Sequence, residues 1–340
     1  MTQKPLLPTP RRRLLKAAGG LAGILALGRA PAFAQVQPKK LVLPSITPAP
    51  EASGMMLEWM AKEITARSKG ELDVAYFGGT LMTKEIDVMN AVKTGNAAIG
   101  TPSGAAATIF PEMGVFLVPY LIQNYTHAYK ILNGSTGDKL DAIFQQKYGV
   151  KVLFFFDLGF RHFWNSKHAI NEPKDLRGLK LRTQPSKVFT DTVNGLGAVA
   201  VPLGWAEVIT AAQQGVIDGA DLPVVNMAPL KAYEVSKYYS MTGHNYGCTV
   251  TVMNLDVWKG LTPTQQAMVT DVSKEAQTLI RGMMADVDSE AGAKKLLEPH
   301  GMIVNAPDRD PFRARAVEKV WPAYQKQYET LWEEIVSVKA

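Results

Sequence analysis

From residue 40 onward, short apolar runs alternate with amphipathic stretches. Residues 40–44 form an apolar run closed by Pro44 and predict a first strand. Residues 53–68 carry Met56, Leu57, Met60, Ala61 and Ile64 at spacings of three and four, one stripe of a helix. Ser53 and Gly54 are placed to cap it and Gly70 to end it. Residues 72–77 predict a second strand turned by Gly78 and Gly79. Residues 82–94 predict a helix facing Ile86, Met89, Ala91 and Val92 inward, and residues 98–100 a third strand. This repetition predicts a parallel α/β lobe. A second such group begins with a strand at 150–156. It runs through a strand at 179–183, a helix at 186–196, a strand at 198–202 and a helix at 205–214. Residues 218–221 read as a turn. Residues 238–242 and 248–253, rich in β-branched and aromatic residues, predict two more strands. From Thr262 the pattern is mostly helical: Thr262-Pro263 opens a helix running past Ala276, and residues 311–338 supply at least one more. The expected class is α/β, with two lobes hinged about a central cleft and a helical C-terminal region.

The length of 340 residues agrees with two lobes. With 46% hydrophobic and 20% charged residues, the chain is too apolar to be disordered, and its single Cys248 excludes a disulfide scaffold. Cys248 reads as a small strand residue. The net charge of +6 changes meaning once it is located. Residues 1–34 hold Lys4, Arg11, Arg12, Arg13, Lys16 and Arg29 and no acid, leaving 31 basic against 31 acidic residues in the remainder. Nucleic acid is therefore not an expected partner. Arginines, then the uncharged apolar run 17–28, then Ala32-Phe33-Ala34 make the layout of a cleaved export signal over residues 1–34. Arg11-Arg12-Arg13-Leu14-Leu15-Lys16 resembles the twin-arginine motif, with Leu14 where Phe is commoner; an ordinary secretory signal is the other reading. A run of twelve is too short to span a bilayer, so the product is expected in the periplasm.

The chemistry is narrowed by what is missing. Gly195-Leu-Gly197 is followed by Ala200, so the dinucleotide fingerprint fails at its third glycine, and no phosphate loop, serine elbow or cysteine pair exists. His127, His162, His168, His244 and His300 include no pair at ligand spacing on a helix. No cofactor and no metal are expected, and no residue set stands out for catalysis.

The positive signal lies between Asp157 and Asn254. Leu179 and Leu181 alternate with Lys180 and Arg182 along one strand, and Arg182 stands at its C-terminal end, where open α/β sheets place their ligand crevice. A guanidinium there offers a rigid fork matched to a carboxylate, unless a core-edge acid already holds it. Around it stand Gly159-Phe-Arg161, Asn165-Ser-Lys167, 173–182 (PKDLRGLKLR), 202–208 (PLGWAEV), 214–219 (QGVIDG) and 238–244 (YYSMTGH). Upstream are Gly78-Gly-Thr-Leu81, Val92-Lys-Thr-Gly95 and Val118-Pro-Tyr120. In this joint order, over roughly residues 38–290, the chain resembles the solute-binding proteins of tripartite ATP-independent periplasmic (TRAP) transporters, the DctP family.

That resemblance implies a two-lobe periplasmic-binding-protein fold of type II-like form. The lobes are expected over 35–158 with 248–287, and over 159–247 with 288–340. It implies a receptor that closes on an organic-acid carboxylate and docks on TRAP membrane subunits, a small DctQ-type and a large DctM-type protein, itself a monomer. By motif position it gives Arg182 the role of carboxylate anchor and Arg161 a supporting one, an ion pair between lobes being the alternative for Arg161. Asn165 matches a ligand-facing position at the start of a following strand or caps a turn. Trp205 either stacks on a planar ligand or staples the helix after it. Asp221-Leu222 departs from the expected acid-asparagine pair; Leu222 makes the pocket more apolar and Asn226 is the residue that compensates, if any does. With Trp205, Phe160, Phe163 and Trp164, that departure favours an aromatic or branched monocarboxylate over sugar acids and dicarboxylates. In some members of the family a cation sits beside the ligand; here Asp221 is its one local candidate. An exported enzyme on the same fold, or a sensor subunit presenting its ligand to a signalling receptor, are the competing readings.

Overall fold

The computed structural model describes residues 39–49 and 51–339; the expected leader over 1–34 lies outside them. Strands β1 (Lys39–Ser45) and β2 (Leu72–Gly78) pair in parallel, joined by the helix Ala52–Arg67. The stripe read from the sequence is the buried face of that helix: Met56, Leu57, Met60 and Ile64 are fully buried. Each such side chain contributes about 1.5–3 kcal/mol. Its start differs from expectation, since Glu51 holds the N-cap position without a side-chain cap and Ser53 is already helical. The next helix, Glu85–Lys93, is shorter than predicted, and its inner face uses Val88 where Ile86 was expected; Ile86 is exposed.

The larger sheet has the order β3-β8-β4-β7-β5-β6, with β9 alongside β8. Its strands are β3 (Ile99–Gly100), β4 (Val150–Asn165), β5 (Lys180–Thr183), β6 (Val199–Pro202), β7 (Gly219–Leu222), β8 (Tyr238–Asn254) and β9 (Ile303–Asn305). It is mixed: β3 runs antiparallel to β8, correcting the all-parallel expectation for the first lobe, while β5 is parallel to both β6 and β7. The Ala98 amide donates to the Val42 carbonyl at 2.8 Å, tying this sheet to β1.

Strands β4 and β8 are the main departure from the sequence reading. The pattern predicts strands broken near Gly159 and Gly243–Gly247; each is instead one continuous strand, paired antiparallel from Val150↔Asn254 to Asn165↔Tyr238. The glycines do not end the strands. They accommodate register shifts, one of them between Asp157 and Gly159, where Gly159 adopts φ +94° and faces Gly247. A Cβ on Gly247 would lie 2.7 Å from the Gly159 carbonyl oxygen, so the two backbones approach too closely for a side chain.

Four apolar clusters flank this ribbon. One packs β1, the helix Ala52–Arg67 and the helix Pro263–Val287 under Phe154 and Phe156. A second gathers Phe110, Phe116, Leu140 and Phe144 on Val250 and Val252. The third holds Trp164, Val208, Leu222, Met227 and Tyr239, and the fourth Phe163, Leu181, Leu196 and Phe312. By backbone contacts the described residues form a single compact unit, with β4 and β8 running through it.

The helical C-terminal region follows the sequence in part. Thr262 and Gln265 exchange side-chain-to-backbone bonds in a capping box, with Pro263 at the first helical position. Strand β9 interrupts the region unforeseen, being only three residues long. The terminal helix Glu329–Ser337 packs on the helix Ser135–Tyr148: Trp332 and Ile335 join the cluster of Phe144, and Glu334 bonds to Thr136 and Lys139. No described helix is long and apolar enough to cross a membrane.

Candidate functional site

The C-terminal ends of β5 and β7 and the middle of β4 converge on a group of buried charges. Arg182 is 1% exposed on β5, between Val201 of β6 and Ala220 of β7. Strand alternation puts Leu181 in the core and turns Arg182 to the other face, as the sequence pattern requires. Its Nε donates to the Leu203 carbonyl at 2.9 Å, and its Cζ lies 5.9 Å from the Trp205 ring centre. Nη1 is buried and makes no hydrogen bond among the described residues. Burial pushes this guanidinium down to about 10, a measure of how little compensates its charge.

Arg161 is different. Its Nε donates to Asp221 Oδ2 at 2.6 Å and its Nη2 to the Asp221 carbonyl at 2.5 Å, while its Cζ stacks 4.6 Å over the Phe189 ring. Asp221 lies in β7 opposite Phe163 of β4, so the predicted turn at 218–221 is a strand. The cause is local: a Cβ on Gly219 would fall 1.9 Å from the Trp164 carbonyl oxygen, so the glycine read as a turn former is there for close strand approach. Burial would raise the Asp221 carboxyl, but the Arg161 charge, the nearby His244 ring and the hydrogen bond from Arg161 override it and hold it at about 2.

His244, which was not among the expected binding residues, completes the group. Its ring stacks on Phe163 with centres 4.0 Å apart. Nδ1 faces Thr242 Oγ1 at 2.8 Å, and Nε2 stands 3.6 Å from Asp221 Oδ2. Burial lowers its pKa to about 4, against the pull of Asp221, so the imidazole is neutral near pH 7. Behind the site, Tyr129 and Tyr246 donate to Asp157, and Tyr125 and the Phe160 amide donate to Asp288, bracing the β4–β8 crossing.

The remaining predicted positions separate. Trp205 is 45% exposed beside Arg182 and opens a single 3-10 turn, with the helix proper starting at Val208. Asn165 ends β4 rather than starting another strand. Its side chain is consumed in a turn, accepting from the amides of Lys167 and His168 and donating to the His168 carbonyl. Asn226, half-buried in the helix Val224–Met227, bonds to neither arginine. Leu222 packs with Val224, Met227 and Tyr239 in the third cluster, so strand alternation takes it to the face opposite Asp221. Phe160, Phe163 and Trp164 are core residues. Among the described residues no group of three or more His, Cys, Asp or Glu is placed to hold a metal.

Titration of this group predicts acid sensitivity. Neutral His244, with a folded pKa of about 4 against 6.5, refuses a proton that the unfolded chain accepts, so its stability contribution is present above pH 6.5 and lost as pH falls toward 4. His162, also lowered by burial, acts in the same sense, whereas Asp157, raised by burial, opposes it. Urea unfolding is expected to show about 1.5 kcal/mol lost through His244 between pH 6.5 and pH 5, with a smaller slope in His244→Asn. Equal slopes in the two proteins would remove His244 as a cause.

Residues 45–330 match the profile of DctP, described as bacterial extracellular solute-binding protein, family 7. The chain belongs to this family. Among its DctP-family relatives, a solute-binding protein of Verminephrobacter eiseniae is 32% identical over 276 residues, 81% of this chain and 82% of that one. The 2,3-diketo-L-gulonate-binding periplasmic protein of Escherichia coli is 32% identical over 65% of this chain and 67% of its own. The crystal structure of a TRAP periplasmic solute-binding protein of Pseudomonas putida with bound D-glucuronate superposes with a TM-score of 0.77 at 28% identity, over 89% of this chain and 98% of that one. The fold is thus that of the TRAP periplasmic binding proteins, and as a DctP-family protein the chain acts outside the cytoplasm.

Proposed function

We propose that this protein is a TRAP receptor that captures an organic acid between the two halves spanned by β4 and β8 and carries it to a membrane permease. One observation carries the reading: Arg182, fully buried, presents an Nη1 with no partner among the described residues at the C-terminal edge of the sheet. Leaving a buried donor unmet costs about 1–3 kcal/mol or more, which a ligand carboxylate returns on binding. Arg161 supports the anchor from β4, on the far side of β7, and Trp205 covers it. Relatives named for 2,3-diketo-L-gulonate and D-glucuronate favour a hydroxylated acid here, and the burial of Leu222 in the core removes the reason to prefer an aromatic one. The halves meet at Gly159 and Gly247: residues 39–158, 248–287 and the terminal helix on one side, 159–247 and 288–319 on the other. The partners are DctQ- and DctM-type membrane subunits, the mature protein is monomeric and performs no chemistry, and export follows the twin-arginine route.

Native mass spectrometry of the purified protein is expected to show a monomer, and a thermal-shift screen of organic acids to find stabilising ligands. A binder at 100 times its Kd adds about 2.7 kcal/mol. A broad panel of acids without any shift would count against the reading.

A further inference from the structure

We propose that Asp221 is a counter-ion built into the site, which neutralises Arg161 and leaves Arg182 as the one buried charge for the ligand, so that the protein selects acids of single negative charge over the matching diacids. This rests on reading the site as a carboxylate receptor. The argument is a charge count over the groups facing one another on β4, β5, β7 and β8. Arg161, Arg182 and Asp221 are buried there, at 5%, 1% and 0% exposure; the other buried aspartate of these strands, Asp157 of β4, is taken up by the Tyr129 and Tyr246 hydroxyls. Arg161 spends Nε and Nη2 on Asp221, at 2.6 and 2.5 Å, so it reaches a ligand as part of a neutral pair. His244, stacked on Phe163 and bonded to Thr242, adds no charge near neutral pH. The other carboxylate acting on Arg182 is Glu207, which is exposed, screened by water and bonded to the Gly204 amide.

One positive charge therefore remains inside. A first carboxylate pairs with it. A second one drawn into the same site meets no uncompensated cation and finds Asp221 Oδ1, itself buried and without a partner among the described residues. A carboxylate buried without a cation is disfavoured and takes up a proton instead. The same bare Oδ1 accepts a hydroxyl, so a neutral polar substituent is admitted where an anionic one is refused.

Calorimetric titration at pH 8 of matched acids tests this: D-glucuronate against D-glucarate, D-erythronate against tartrate, and butyrate against succinate. In each pair that binds, the monoacid is expected at least tenfold tighter. A diacid that binds is expected to take up close to one proton, read from the dependence of the heat on buffer ionisation. A diacid as tight as its partner with no proton uptake overturns the proposal while leaving the receptor reading intact. Failure of every acid, of either kind, would instead remove the receptor reading itself. Asp221→Asn keeps the shape and frees the Arg161 charge. It is expected to shift the diacid-to-monoacid affinity ratio at least tenfold toward the diacid, and an unchanged ratio in the folded variant overturns the role of Asp221. Should that variant not fold, proton uptake by the unaltered protein still decides.

Discussion

Arg182→Ala is expected to erase ligand binding while leaving the unliganded protein as stable as before or slightly more so. The guanidinium is buried with the Leu203 carbonyl as its one hydrogen-bond partner among the described residues, and burial already drags its pKa down to about 10. Deleting such a charge removes a desolvation cost from the free protein. In the complex the same deletion leaves the ligand carboxylate buried and unpaired, at about 2–5 kcal/mol, roughly 30-fold to several thousand-fold in Kd. The two effects have opposite signs, which makes the measurement decisive. A structural arginine lowers the Tm of the free protein when removed, whereas a ligand anchor abolishes only the ligand-induced shift. Arg182→Lys keeps the charge but loses the fork, and is expected to bind weakly. A variant that retains a full thermal shift would end the anchor assignment.

Asp221→Ala is expected to act on stability instead. The carboxylate and the Arg161 guanidinium form a pair buried on both sides, and truncating one leaves the other charged in the interior. Such half-broken pairs cost about 3–5 kcal/mol, on the order of 10 °C in Tm for a domain of this size. Replacing both partners, as in Arg161→Met with Asp221→Leu, is expected to recover most of that loss. Urea unfolding of the single and double variants measures the coupling directly. If Asp221→Ala loses less than about 1 kcal/mol, the pair is not the buried unit its geometry implies.

Much of this was legible beforehand. Periodicity located the helix Ala52–Arg67 and its inner face, and Thr262-Pro263 marked the start of the helix Pro263–Val287. The alternation of Leu179, Lys180, Leu181 and Arg182 put the two leucines in the core and Arg182 on the other face. Local signals failed where glycine has two uses. Gly159, Gly219 and Gly247 look like turn residues in sequence; in the fold each lets one strand pass close to another, so broken strands became the long β4 and β8 and a turn became β7. For Asn165 the turn-capping alternative is the one found: its strand does not begin there but ends, and the side chain bonds the turn that follows.

The sequence by itself determined the α/β alternation, the neutral charge of everything beyond residue 34, and the presence of a forked cation at a strand end. Those features are set by side-chain order over a few residues. The tertiary structure alone decided which cation is free. Arg161 and Asp221 are sixty positions apart, and only the pairing of β4 with β7 brings them within hydrogen-bond reach. Burial and distance, not residue type, separate the arginine that an aspartate already holds from the one whose Nη1 has no partner among the described residues.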